Sequence, residues 1–263
     1  MDLGLKDKSV LVLASSKGLG KATAAQFAAE GARVYLASRN EEALQQTAEE
    51  IKRETDNPHV AFSVCDMTDY NSIKQLVADA ARINGGIDVL VNNTGGPPAG
   101  LFDDVDDQDW QRAFELNLLS FTRAIREVLP HIRKRGGGHI VNFASSSIKQ
   151  PIDNLILSNT FRAGITGLSK SLSQELAGDN ILINTIGPGR ISTDRVQSLD
   201  SIKADALDME VEDLKAANEK EIPIGRYGEP DEFAKLAVFL CSEANTYITG
   251  QSLLVDGGMV KAL

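Results

Sequence analysis

The segment Ala14-Ser15-Ser16-Lys17-Gly18-Leu19-Gly20-Lys21-Ala22 has the residue types of an anion cradle. Small residues let the backbone turn sharply and come close to a pyrophosphate. A helix that opens there offers free N–H groups and the positive end of its dipole. A Gly-rich turn by itself is equally a tight turn that holds nothing. Here it follows the apolar run Ser9–Leu13, opens the helical pattern Lys21–Glu30 and begins a strand–helix–strand unit, which is the context a dinucleotide site requires. At the end of the second strand an acidic side chain would hydrogen-bond both ribose hydroxyls and repel a 2′-phosphate. This chain has Ser38 and then Arg39, and Lys17 faces the same region from the first turn. Two cations and a hydroxyl suit a phosphate dianion, so the expected cofactor is NADP(H) in preference to NAD(H). The competing reading leaves Lys17 and Arg39 as ordinary solvated charges.

The elements that must position this turn follow from periodicity. Short apolar runs recur (Ser9–Leu13, Arg33–Ala37, Val60–Cys65, Val89–Asn92, His139–Phe143, Ile181–Ile186, Ser252–Val255), and several are rich in Val, Ile and Leu without alternation, as strands buried on both faces are. Helical patterns separate them: Lys21–Glu30, Glu41–Glu54, Asn71–Ile83, a long Gln108–Lys134, Asn154–Leu176 and Asp231–Leu240. The alternation predicts an α/β fold, a doubly wound parallel sheet of seven strands with helices on both faces. Short connections and the absence of a linker predict one domain over residues 1–263. The exception is 192–222, long, charged and helix-prone (Ile202, Ala206, Met209, Leu214). A segment of this kind is read as a substrate loop or lid, or as a pair of surface helices, and both can hold.

Composition narrows the partners. Against 27 Lys and Arg stand 37 Asp and Glu, a formal charge of −10. This argues against nucleic acid and anionic membrane as partners, though not against a small anion in a local basic pocket. Cys65 and Cys241 match no disulfide framework or metal spacing. Residues 1–8 lack the basic start and apolar stretch of a signal peptide, and no apolar run approaches the roughly 18 residues of a membrane span. A cytoplasmic protein acting on a small molecule is expected.

The order of further motifs resembles the short-chain dehydrogenase/reductase family over essentially the whole chain. Its first turn reads Thr-Gly-x-x-x-Gly-x-Gly; here Leu13 and Ala14 replace the first pair, and Gly18 and Gly20 are kept. Asp66 matches the family's adenine-contacting Asp. Asn92-Asn93-Thr94-Gly95 resembles Asn-Asn-Ala-Gly, where backbone and Asn side chains face the cofactor. Pro188-Gly189 with Thr193 resembles the turn under the nicotinamide, and Tyr247-Ile248-Thr249-Gly250 and Val255-Asp256-Gly257-Gly258 match the last strand and its flanks. The resemblance implies a Rossmann-type sheet and a cofactor contacted by Ala14, Ser16, Lys17, Gly18, Leu19, Gly20, Ser38, Arg39, Asp66, Asn92, Thr94, Gly95, Arg162, Pro188, Gly189 and Thr193. It also implies a homotetramer, because the long helical patterns Gln108–Lys134 and Asn154–Leu176 correspond to elements that pair between subunits. Within the family the likeness is greatest to 3-oxoacyl-acyl-carrier-protein reductases.

Family chemistry uses an Asn, a Ser, a Tyr and a Lys. Asn117 and Ser145 stand at the first two positions. Where the family has Tyr-x-x-x-Lys, this chain reads Ser158-Asn159-Thr160-Phe161-Arg162, in a register secured by Ala163–Leu172; the four tyrosines, at 35, 70, 227 and 247, lie elsewhere. Ser158 and Arg162, four apart, share one helix face. Arg162 keeps a cation that can bond a ribose diol, with the fixed directions of a planar fork. The Ser158 hydroxyl stops about 4 Å short of a phenol oxygen and is a far poorer acid than a phenol of pKa about 10, so a proton relay would need an intervening water. Two readings stay open: a divergent enzyme that moves hydride to or from a carbonyl or hydroxyl compound, and a non-catalytic dinucleotide-binding protein. His139 and Trp110 are read as structural, and Lys149 as a solvated loop lysine within reach of a substrate.

Overall fold

The computed structural model describes residues 2–262. Seven parallel strands form one sheet in the order β3-β2-β1-β4-β5-β6-β7: β1 Ser9–Leu13, β2 Arg33–Ser38, β3 Val60–Val64, β4 Val89–Asn92, β5 Gly138–Phe143, β6 Ile181–Pro188 and β7 Ser252–Val255. Each strand falls within a residue or two of its apolar run. The alternation of side chains up and down the pleat splits the core in two. Val10 and Val12 of β1 pack with Phe27, Leu44, Ile51 and Phe233 on one face; Leu11 and Leu13 pack with Ile73, Leu76, Val128 and Ile183 on the other. The first face is covered by α1 (Gly18–Ala29), α2 (Glu41–Thr55) and α9 (Pro230–Leu240). The second is covered by α3 (Tyr70–Asn84), α5 (Ser120–Lys134) and α6 (Ile156–Glu175). α4 (Asp107–Phe114) precedes α5, and the 192–222 segment forms α7 (Asp194–Leu207) and α8 (Val211–Glu221).

The long pattern Gln108–Lys134 is not one α-helix. Between α4 and α5 the residues Glu115–Leu119 take π-helical turns, and the Ser120 N–H bonds to the Glu115 carbonyl. The extra residue of a π-turn is commonly found at functional sites, and this one contains Asn117.

The strand order reverses between β1 and β4. At such a point the connections leave in opposite directions and open a crevice beyond the carboxyl ends of the strands. The Gly-rich turn after β1 and the Asn93–Gly95 segment after β4 form its two lips, and the Asn93 amide bridges them by donating to the Ala14 carbonyl at 3.2 Å.

Candidate functional site

The turn after β1 has the shape its sequence predicts. Ala14 takes φ +47°, the left-handed region, at the position where the resemblance has glycine. The conformation costs an alanine about 1–2 kcal/mol, so the turn is formed in spite of the side chain. A Cβ on Gly20 would stand 2.3 Å from the Ala14 carbonyl, so the helix can approach the strand only without one. Gly18, at φ +55°, has room above it: a Cβ there would meet only the Thr193 side chain, at 3.6 Å, and one on Gly95 would meet nothing within 4 Å. An open floor lined by two glycines, at the N-terminus of α1 with no acidic residue in its first turn, fits a pyrophosphate.

The residues expected around the adenosine end surround this turn. Ser38 ends β2, and Arg39 is exposed beside it. Asp66 accepts from the Thr68 N–H at 2.9 Å and from the Thr68 hydroxyl at 2.8 Å. These bonds, with a smaller contribution from Arg39, hold its carboxyl below the usual range. Lys17 differs from expectation. Its ammonium pairs with Asp194 at 2.7 Å, across the crevice at the start of α7. Both side chains are about 70% exposed (72% and 69%), and a pair so solvated contributes little and opens readily. Pro188 ends β6, Gly189 follows it against Asp256, and Thr193 caps α7, accepting from the Val196 N–H at 3.4 Å.

Asn92 requires a correction. Its side chain was expected to face the cofactor. It is fully buried and donates to Asn142 Oδ1 at 2.8 Å, because the two residues are register partners in β4 and β5 and their side chains meet on one face of the sheet. Asn142 continues the chain by donating to Ser169 Oγ at 2.9 Å, which also receives the Thr185 hydroxyl at 2.8 Å. This polar ladder joins the central strands to α6 beneath the crevice.

Of the catalytic candidates, Asn117 and Arg162 meet on the Thr94–Gly95 segment. Asn117, fully buried, donates to Thr94 Oγ1 at 3.0 Å and to the Gly95 carbonyl at 2.7 Å, and its Oδ1 has no partner among the described residues. Arg162, also buried, donates to the Phe143 carbonyl at 2.8 Å and, more weakly, to the Thr94 carbonyl at 3.5 Å. The guanidinium thus plugs the ends of β4 and β5, where the expectation had it free to hold a ribose diol. Burial, reinforced by the charge of Arg195, lowers it to about 10. Ser145 follows β5 and accepts from the Ser147 N–H at 3.1 Å; that bond leaves its own proton available. Ser158, one helical turn before Arg162, is buried on the same face of α6.

No phenol substitutes for the absent one. Tyr35 bonds Ser63, Tyr70 bonds Glu127, Tyr227 bonds Asp200, and Tyr247 is exposed. His139 lies at the start of β5, its Nε2 3.2 Å from the Asn245 carbonyl, with burial pushing its pKa down. Trp110 packs edge-on against Phe161 at 5.8 Å, and Lys149 is exposed.

Two features escaped sequence reasoning because their partners are far apart in the chain. Arg195, in the first turn of α7, donates to the Pro97 carbonyl at 2.6 Å. Asp200, buried in α7, accepts from Tyr227 at 2.8 Å and pairs with Arg190, while Asn218 of α8 donates to Tyr227 at 3.0 Å. This network fixes α7 and α8 to the segment after β6.

A parallel sheet with a glycine-lined turn at its switch point defines a Rossmann-type dinucleotide fold, and comparison with known proteins narrows the class. A family model described as enoyl-(acyl carrier protein) reductase matches residues 13–260. The chain is 33% identical to dehydrogenase/reductase SDR family member 4 of Oryctolagus cuniculus, over 97% of this chain and 94% of that protein. It is 34% identical to the 3-oxoacyl-acyl-carrier-protein reductase FabG of Thermotoga maritima, over 97% and 99%. Among solved structures, L-sorbose reductase from Gluconobacter frateurii, complexed with NADPH and L-sorbose, superposes with a TM-score of 0.94 at 33% identity, covering all of both chains. The chain belongs to the short-chain dehydrogenase/reductase family of oxidoreductases. No helix among the described residues is long and apolar enough to cross a membrane.

Proposed function

We propose that this chain is an NADP(H)-dependent oxidoreductase acting on a carbonyl or hydroxyl compound, as a cytoplasmic homotetramer folded as one domain, with α7 and α8 covering the substrate. The observation that carries the reading is the convergence of Asn117 and Arg162 on the Thr94–Gly95 segment, with Ser145 two residues beyond the carbonyl that holds Arg162. The NADPH-bound sorbose reductase relative supports the cofactor, as do Ser38 and Arg39 where a ribose-binding acid would stand.

NADPH, when bound, supplies hydride to the carbonyl carbon. The protein's own residues do the rest. Ser145 donates a hydrogen bond to the reacting oxygen and keeps its proton, and the Arg162 charge favours the negative charge that develops there. Asn117 holds the β4 lip, and its unpartnered Oδ1 can accept from a water. Ser158 delivers a proton only through such a water, so turnover is slow: a well-placed general acid contributes about 10²–10⁴ in rate. A second reading, dinucleotide binding without turnover, is favoured by the commitment of Arg162 to backbone carbonyls and by the absence of a phenol. Prolonged NADPH consumption across a panel of carbonyl compounds separates the two. The enzyme reading expects slow turnover that falls further in Ser145→Ala; NADPH binding with no turnover on any compound selects the second reading.

A further inference from the structure

The Lys17 charge is already taken in the structure. Its ammonium lies 2.7 Å from Asp194 Oδ2, 177 positions away. The sheet order shows what that meeting spans. β4 and β5 stand between β1 and β6, so at about 4.8 Å per strand the ends of β1 and β6 are about 14 Å apart. The chain after β6 crosses that distance. Thr193 comes to rest over the Gly-rich turn, its Cγ2 3.6 Å from where a Cβ on Gly18 would lie. Arg195, on the other side of Asp194, donates to the Pro97 carbonyl in the loop after β4. The first turn of α7 thus touches both lips of the crevice, and Asp194 holds the β1 lip by its charge.

The two partners differ in freedom. The segment before Asp194 is pinned: the Ser192 N–H donates to the Gly228 carbonyl at 2.8 Å, and the Gly228 N–H donates to the Arg190 carbonyl at 2.9 Å. Lys17 is a point charge on a flexible four-carbon stem, 72% exposed. Lys21, the next cation along α1, is paired with Glu50 at 2.6 Å and does not relieve it. Lys17 is therefore the member that moves, and a phosphate arriving beside it must draw it off the carboxylate. We propose that Asp194 is a cofactor-specificity residue that works against binding: it competes with the 2′-phosphate of NADP(H) for Lys17. This deepens the reading above, on which it rests, that the crevice takes NADP(H) with Lys17 and Arg39 about the 2′-phosphate. NADP(H) has to open the Lys17–Asp194 strap, which closes again when the cofactor leaves; NAD(H), without that phosphate, leaves it closed. A phosphate dianion is the stronger acceptor, so the exchange goes forward, and the preference for NADP(H) is smaller than the two cations alone would give.

The test is calorimetric titration of the parent, Asp194→Asn, Lys17→Met and the double variant with NADPH and with NADH, in low salt so that an exposed pair is least screened. Both side chains are solvated, so the melting curves should hardly move. Asp194→Asn should bind NADPH about two- to fivefold more tightly, the range of an exposed ion pair, and NADH as the parent does. Lys17→Met should bind NADPH more weakly than the parent, and adding Asp194→Asn to it should change nothing. Raising the salt to about 1 M should erase the gain in Asp194→Asn. No gain for NADPH in Asp194→Asn overturns the competition. So does an equal gain for both nucleotides, or a gain that persists without Lys17, since either shows a general repulsion from the Asp194 charge. NADPH affinity unchanged in Lys17→Met overturns it as well, because Lys17 then holds no phosphate. Failure of the parent to bind NADPH removes the reading beneath the proposal and is seen before any variant is compared.

Discussion

The double change Ser158→Tyr with Arg162→Lys tests whether the crevice retains reductase geometry. Tyrosine supplies the missing acid, and lysine supplies a nearby charge that lowers the phenol's pKa, so the changes must be made together. The structure sets the cost. Arg162 holds two carbonyls; an ammonium can keep one, and a buried acceptor left unpaired costs about 1–3 kcal/mol. Ser158 is only 8% exposed, and enlarging it in a packed setting costs about 1–3 kcal/mol more, unless the ring extends into the crevice. At about 2–4 °C per kcal/mol, the melting temperature should fall by roughly 5–20 °C, so melting curves must be taken first and activity measured well below the transition. NADPH consumption on an activated ketone should then rise by about 10² or more over the parent. A folded double variant that binds NADPH and gains less than tenfold would refute the reasoning and favour a binding protein without turnover. A fast parent left fast by Ser158→Ala would overturn the proton relay instead and direct attention to Lys149.

Three further outcomes are expected. Arg39→Asp should reverse the NADPH-over-NADH preference in direct titrations, because a carboxylate accepts from a ribose diol and repels a 2′-phosphate. Ala14→Gly should relieve the left-handed strain at φ +47° and raise the melting temperature by about 2–8 °C, from about 1–2 kcal/mol; no rise would mean that the turn is not strained. Light scattering at micromolar concentration should give a homotetramer, and a monomer would contradict the assembly.

The sheet was legible because its central strands are buried on both faces and read as apolar runs, while the edge strands β3 and β7, only partly buried, still keep enough Val, Leu and Phe to be read. The turn was legible because its constraints are local: Gly20 must admit Ala14, six residues away. Asn117 and Ser145 could be placed through their register after recognisable elements. The π-turn at Glu115–Leu119 was not legible, since one added residue leaves the apolar pattern of Gln108–Lys134 nearly unchanged. The orientation of Asn92 depends on the β4–β5 register, which no local spacing reveals. Lys17 with Asp194, and Arg195 with Pro97, join residues 177 and 98 positions apart. Their side chains are ordinary polar residues until the fold brings α7 across the crevice.

The central claim is that the crevice between the β1 and β4 ends binds NADP(H) through the Ala14–Gly20 turn, Ser38 and Arg39. Calorimetric titration of the unmodified protein with NADPH and with NADH tests it most directly. The account predicts saturable binding of both with NADPH the tighter; equal or tighter binding of NADH would contradict the cofactor assignment, and binding of neither would contradict the site.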